Sequence, residues 1–246
     1  RQFFHTPSTG VVVSEPLIHA DIAKAHTLPS RFYTDEDTFR NLISGMQDCW
    51  YFGAHSSQFA EHNVIPLTDI ETMLGEALML TNSDRVRCLS NVCTHRGMLV
   101  AIEPCNSNTL QCRYHGRTFG IDGCFKNMPE FQDVEDFPSP SDDLANFPVT
   151  NWKGLQLVGG DLYLDEAITE LESRLGWLDI ESFQHDPSRY RSYEIKANWA
   201  LYVDNYLEGF HIPFVHGDLH DVLEKDEYRT ELFDGGVLQI GIAKEG

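Results

Sequence analysis

Positive charge is scarce in this chain. Over 246 residues, 18 lysines and arginines face 38 aspartates and glutamates, a formal net charge of −20. So acidic a surface repels phosphate, which excludes nucleic acid and anionic membrane as partners. Long hydrophobic runs are missing as well. The longest, Val11–Val13 and Ala77–Leu80, fall far short of the ~18 residues that cross a bilayer. No charged, apolar and small-residue series after Arg1 marks a signal peptide. Cysteine is sparse: Cys49, Cys88, Cys93, Cys105, Cys112 and Cys124 are too few for a disulfide scaffold. A reducing compartment follows, read as cytoplasmic and of bacterial type. What is present excludes wholesale disorder, because 41% of residues are hydrophobic and 11% aromatic. At roughly 100–200 residues per domain, the length suits one large domain or two smaller ones.

Regular structure is legible in patches. Thr34 reads as a helix N-cap, with Asp35, Glu36 and Asp37 in the first turn, where the helix dipole favours carboxylates. Phe39, Leu42, Ile43 and Met46 then line one helical face, and Gly45 reads as its stop. From Cys49 to about Val158 the texture turns to short β-forming runs: Trp50–Phe52, Val86–Leu89, Thr109–Cys112 and Leu155–Val158. Gly, Asn, Pro and Asp punctuate them, which predicts a small antiparallel β domain with long loops. Pro129–Pro148 reads as an acidic surface loop. A second helix is predicted from a cap at Asp165, with Ile168, Leu171 and Leu175 on one face up to Gly176. A strand is expected over Tyr190–Ala197, a helix over Trp199–His211 and a strand over Val237–Ala243. The sequence holds no internal repeat.

The densest chemistry lies in Cys93-Thr94-His95-Arg96-Gly97 and Cys112-Arg113-Tyr114-His115-Gly116, with sixteen residues between His95 and Cys112. Each segment offers one thiolate, one imidazole and a glycine that permits a tight path. Two thiolates suit one iron of a two-iron, two-sulfide cluster and two imidazoles the other. Neutral imidazoles raise the potential above that of an all-cysteine cluster. Zinc sites favour Cys-x-x-Cys or His-x3–5-His spacing instead. The pattern resembles the Rieske cluster-binding motif. Rieske proteins of respiration and photosynthesis carry an extra cysteine in each loop. Met98 and Tyr114 stand at those positions, so the chain is similar to the lower-potential type found in oxygenases and their ferredoxins. Met128-Pro129 falls where that family places a third loop shielding the cluster. Cys49, Cys88, Cys105 and Cys124 read as small buried hydrophobes.

Farther along, the stretch from Asn198 to His216 carries Asp204, Glu208, His211 and His216 in an otherwise apolar setting. On a continuous helix, Asp204, Glu208 and His211 share one face. Leu201, Val203, Leu207 and Phe210 lie off that stripe and read as packed. Pro213 reads as the helix terminator. Two histidines with one carboxylate make a triad that leaves iron(II) open positions. His211 and His216 as satisfied core histidines are the plainer alternative. The remaining histidines, His5, His19, His26, His55, His62, His185 and His220, read as surface or loop residues.

This second segment resembles the iron motif of Rieske non-heme iron oxygenase α (catalytic) subunits, the superfamily of aromatic-ring-hydroxylating dioxygenases and choline- and carnitine-type monooxygenases. The resemblance implies that Cys93, His95, Cys112 and His115 hold the 2Fe-2S cluster and that His211 and His216 hold a mononuclear iron. It implies that Glu208 is the bridging acid for electron transfer between subunits, and it leaves Asp204 as a weaker catalytic candidate. The third iron ligand, an Asp in the family, comes much later than the thirty residues that follow His216. Asp218, Asp221 and Asp234 are not assigned to it; it is expected beyond residue 246, with the C-terminal part of the catalytic domain absent from this sequence.

The implied fold class is α+β. An N-terminal helical segment (1–47) packs on the catalytic domain, a small antiparallel Rieske domain spans 48–157, and 158–246 begins a helix-grip catalytic domain with a curved antiparallel sheet. The implied enzyme hydroxylates a small organic substrate with O2, either an aromatic ring or a C–H/N-methyl compound. Electrons come from NAD(P)H through a reductase, directly or via a ferredoxin, and the assembly is a homotrimer. Two alternatives stand beside it: a Rieske-type electron-transfer protein, or a truncated oxygenase with an incomplete iron site.

Overall fold

The computed structural model describes residues 18–19, 21–160, 164–224, 228–233 and 236–244. Val11–Val13, His5 and Asp234 lie outside them. In chain order the elements are helices α1 (Arg31–Thr34) and α2 (Glu36–Met46), strands β1 (Trp50–His55) and β2 (Val64–Leu67), and helix α3 (Glu71–Leu74). Strands β3 (Leu78–Asn82), β4 (Val86–Ser90), β5 (Thr109–Gln111), β6 (Thr118–Gly120) and β7 (Phe125–Asn127) follow. Next come β8 (Asn146–Phe147), β9 (Val149–Trp152), β10 (Leu155–Gly159) and helices α4 (Leu164–Leu175), α5 (Trp199–Glu208), α6 (Ile212–Val215) and α7 (Gly217–Val222). Strands β11 (Arg229–Phe233) and β12 (Gly236–Ile240) close the series. The described residues form two compact units: one built on Ser44–Leu164 and Leu171–Tyr190, the other on residues up to Ile43, Asp165–Glu170 and the chain from Arg191.

The first unit is antiparallel throughout, as the short β-forming runs predicted. Its central sheet runs β2-β3-β4-β8, flanked by the sheets β1-β10-β9 and β5-β6-β7. The apolar run Ala77–Leu80 explains the layering. Successive strand residues face opposite ways. Leu78 and Leu80, with Ile65, Leu67 and Cys88, join Ala54 and Val158 in one core. Met79, with Val64 and Leu89, joins Leu110, Phe119, Leu144, Cys93 and Cys112 in the other. The central sheet is therefore covered on both faces, which accounts for the continuous apolar run through Leu78, Met79 and Leu80. Each fully buried Leu, Met or Phe contributes roughly 1.5–3 kcal/mol, so the two thiols ride in the most strongly held part of the chain. Pro66 is tolerated because β2 is an edge strand.

In the second unit, Asn198 joins two elements. Its side-chain oxygen accepts from the Ala200 N–H at 3.0 Å, capping α5. Its amide donates to the backbone oxygens of Phe32 and Tyr33 in α1. Strands β11 and β12 pair antiparallel from Arg229↔Ile240 to Phe233↔Gly236.

Several boundaries differ from the sequence reading. Thr34 ends α1, and Asp35 caps α2 by accepting from the Thr38 N–H and hydroxyl. Gly45 does not stop α2, which runs to Met46. Asp165 sits inside the first turn of α4. No strand forms over Tyr190–Ala197; every residue from Glu181 to Ala197 is exposed, so alternation there has no core to face. Within Pro129–Pro148, Asn146 and Phe147 pair with β4. His55 is buried, its ring bonded to Ser57 and the Ile180 carbonyl. Cys88 is buried as expected, whereas Cys49 and Cys124 are exposed.

Candidate functional site

The two Cys–His loops fold as duplicates. The Cys93 N–H donates to the Met98 carbonyl at 2.9 Å, and the Gly97 N–H to the Cys93 carbonyl at 3.0 Å. The Cys112 N–H donates to the Arg117 carbonyl at 2.8 Å, and the Gly116 N–H to the Cys112 carbonyl at 3.0 Å. Gly97 and Gly116 take φ of 72° and 75°, a left-handed conformation that side-chain-bearing residues resist. The spacing Cys-x-x-x-Gly thus sets the shape of each loop. Asn91, which the sequence reading passed over, closes the first loop from inside: its buried amide donates to the Ala101 carbonyl and accepts the Ala101 N–H.

Cys93 and Cys112 are 3% and 2% exposed. Burial pushes the Cys93 thiol above its ordinary range, and a hydrogen bond with Cys112 adds to it. Left alone, the Cys93 thiol stays protonated; a bound cation reverses that. The His95 and His115 rings meet edge to face with centroids 4.7 Å apart. His95 Nδ1 is buried without a hydrogen-bond partner. Such an atom costs about 1–3 kcal/mol unless something coordinates it. Burial, helped by His115, Arg96 and Arg117, holds the His95 imidazole below its usual range and so keeps it neutral. Two buried sulfurs, two adjacent imidazoles and one orphaned ring nitrogen fit a two-iron cluster. Met98 and Tyr114 are exposed, and all six cysteines are free. Met128 is buried behind the second loop, and the Phe131 ring lies 5.8 Å from that of His95.

The second site is built locally. Helix α5 stops at Glu208 because Gly209 takes φ of 65°. His211 therefore lies outside the helix, and the single-face arrangement of Asp204, Glu208 and His211 does not form. Pro213 sits in the first turn of α6 rather than ending a helix. The turn brings His211 Nδ1 within 2.5 Å of Glu208 Oε1, and Glu208 also accepts the Phe210 N–H. The His211 N–H chiefly, with that backbone N–H, holds the Glu208 carboxyl below the usual carboxylate range. A carboxylate at a helix C-terminus opposes the helix dipole; at Glu208 the hydrogen bond with His211 offsets this. With the proton on Nδ1 held by Glu208, Nε2 of His211 keeps its lone pair, the tautomer that suits a metal-binding imidazole. The His211 and His216 rings lie 5.1 Å apart. Asp204 accepts from the Tyr33 hydroxyl. Leu201, Val203 and Phe210 are exposed rather than packed, while Leu207 is half-buried. Beside Glu208 lies a cavity of about 380 Å³ lined by Phe210, Pro213, His220, Tyr228 and Arg229, and His220 is accordingly more than a surface histidine. Among the described residues no three His, Cys, Asp or Glu side chains converge on one point; a cluster iron needs only two protein ligands, and the His211–His216 pair supplies two.

Comparison with known proteins agrees with this geometry. Residues 49–138 match the Rieske [2Fe-2S] domain, and residues 182–239 match the catalytic domain of the ring hydroxylating alpha subunit. The carnitine monooxygenase oxygenase subunit of Escherichia coli (strain K12) is 30% identical over 236 residues, covering 92% of this chain and 61% of that protein. The chloroplastic choline monooxygenase of Beta vulgaris is 26% identical, covering 87% of this chain and 50% of its own length. The chain thus spans between half and two thirds of these relatives. The crystal structure of the quaternary ammonium Rieske monooxygenase CntA with L-carnitine superposes with a TM-score of 0.75 at 25% identity, over 93% of this chain and 64% of that one. Naphthalene 1,2-dioxygenase from Rhodococcus shares the fold, with a TM-score of 0.64 at 22% identity over 81% of this chain and 48% of that one. No helix among the described residues is long and apolar enough to cross a membrane.

Proposed function

We propose that this chain, a Rieske domain followed by part of a ring-hydroxylating α-subunit catalytic domain and homologous to carnitine and choline monooxygenase oxygenase subunits, serves a Rieske oxygenase that hydroxylates an N-methylated quaternary ammonium compound. The observation that carries the reading is the duplicated pair of loops, with both thiols in the core and both imidazoles side by side. Cys93, His95, Cys112 and His115 hold the 2Fe-2S cluster within a Rieske domain over 48–157. His211 and His216 hold the mononuclear iron, with the third carboxylate supplied from outside residues 1–246. When bound, the cluster supplies single electrons and the iron supplies O2 activation.

The chain's own residues do the positioning. The core fixes the two sulfurs. Glu208 holds the His211 N–H, fixes its tautomer, and bridges it to a cluster histidine of the neighbouring subunit in a homotrimer. Asp204, held by Tyr33, positions the helix that carries Glu208. The cavity beside Glu208 is lined by Phe210 and Tyr228, aromatic residues of the type that hold a quaternary cation, and by the charges of Glu208 and Arg229. Electrons originate from NAD(P)H and arrive through a reductase, with or without a ferredoxin, in a reducing cytoplasm.

The test is His211→Ala in the full α subunit supplied with reductase, NADH and carnitine or choline. Hydroxylation is expected to fall at least about a hundredfold while the cluster spectrum persists. Unchanged hydroxylation would overturn His211 as an iron ligand, and no hydroxylation by the wild type would favour a plain electron carrier.

A further inference from the structure

One charged pair in the first unit is unused by the scheme above. Arg117 follows the second loop directly and is 3% exposed. Its Nη2 donates to the Asp142 carboxylate and, at 3.4 Å, to the Asp142 backbone oxygen. The Thr94 hydroxyl of the first loop donates to that same oxygen at 2.8 Å. Ser139 donates to the other carboxylate oxygen through its N–H at 2.7 Å and its hydroxyl at 3.0 Å. The guanidinium carbon lies 4.9, 5.6 and 5.8 Å from the rings of Phe125, Phe137 and Phe119. Its Nε is buried with no partner.

A buried guanidinium with one unpaired N–H is costly, and only Asp142 and three ring faces offset it. Plain packing would place an apolar residue here, so the pair does something an apolar residue cannot. It joins three segments at one point: the first loop through Thr94, the second through Arg117, and the segment after Met128 through Asp142. That segment leans on the cradle. Phe137 stacks against Phe131 at 5.2 Å, and Phe131 reaches His95. Pro129 packs so close to Gly116 that a Cβ there would meet its Cγ at 3.3 Å.

We propose that Arg117 and Asp142 form a buried latch that fastens residues 128–142 against the His95 side of the Cys–His cradle. Both are positioning residues. The proposal rests on the cradle being the cluster site, so its test reads the segment and the cluster separately.

Hydrogen–deuterium exchange of the cluster-loaded protein is that test. In Arg117→Gln and in Asp142→Asn, amides of residues 128–142 are expected to exchange about tenfold faster, with β2, β3 and β4 unchanged within about twofold. The double variant should match the larger single effect, because one interaction is lost in each case. Arg117→Lys should recover part of the protection. Thr94→Val, at an exposed position, should give a smaller change of about threefold in the same segment. Faster exchange spread evenly over the unit, or wild-type exchange at 128–142, overturns the latch. Should Arg117→Gln or Asp142→Asn fail to fold, Thr94→Val decides: no change over 128–142 overturns it. Absorption of the same samples reports the cluster, so a missing cluster with a protected segment would count against the cluster site alone.

Discussion

The two histidine pairs of this chain are alike in spacing and opposite in surroundings. The rings of His95 and His115 lie 4.7 Å apart, those of His211 and His216 5.1 Å. Around the first pair, both partner cysteines sit in a core with Met79, Leu89 and Phe119. Around the second, Phe210 and Phe214 are 82% and 89% exposed. The first site is held by residues far apart in sequence. The second is held by its own local sequence: a cap at Asn198, a left-handed Gly209 and a Glu208–His211 hydrogen bond. Core damage should therefore reach the first site and spare the second, and cap damage should do the reverse.

The largest effect that could break this contrast is Cys112→Ser. It should abolish the visible absorption of the cluster while iron binding by the His211–His216 pair persists; loss of both would mean the sites are not independent. Next is Phe119→Ala, which opens a cavity between the β5-β6-β7 sheet and the central sheet. A loss of about 3–5 kcal/mol is expected, seen as a lower denaturant midpoint in the first unit, whereas Leu201→Ala on the exposed face of α5 should stay within about 0.5 kcal/mol. Asn198→Ala removes the α5 cap and should cost about 0.5–2 kcal/mol of local helix stability, read by exchange of α5 amides with the cluster signal intact. The smallest effect is with pH. The Glu208 carboxyl titrates lower folded than unfolded. Its stabilisation is thus complete above the unfolded value of about 4.3 and disappears as pH falls through the folded one. Contacts of Glu208 followed by NMR should loosen as its carboxyl protonates, below about pH 4.3.

How much was legible follows the same division. The cluster loops were readable because Cys, His and Gly lie within five residues of one another and backbone bonds within each loop set its shape. Strands β1, β4 and β10 were readable from β-branched and aromatic runs between turn residues. The end of α5 was not, because Leu207 and Phe210 continue an apolar period through Gly209, and only the φ of that glycine breaks it. Tyr190–Ala197 misled for the opposite reason: its residues favour strands, but all of them are exposed among the described residues. Arg117 and Asp142 stand twenty-five positions apart, and no local pattern marks a charge as buried. His55 was hidden likewise, since its partner Ile180 is remote.

A cluster held by two thiolates and two imidazoles underlies every role given to these residues. Pulsed EPR of the reduced protein, with acid-labile sulfide measured on the same sample, decides it. Sulfide should equal cluster iron, with nitrogen couplings from two imidazoles, one lost in His95→Cys and the other in His115→Cys. Bound metal without sulfide, or a cluster signal with no nitrogen coupling, would contradict it.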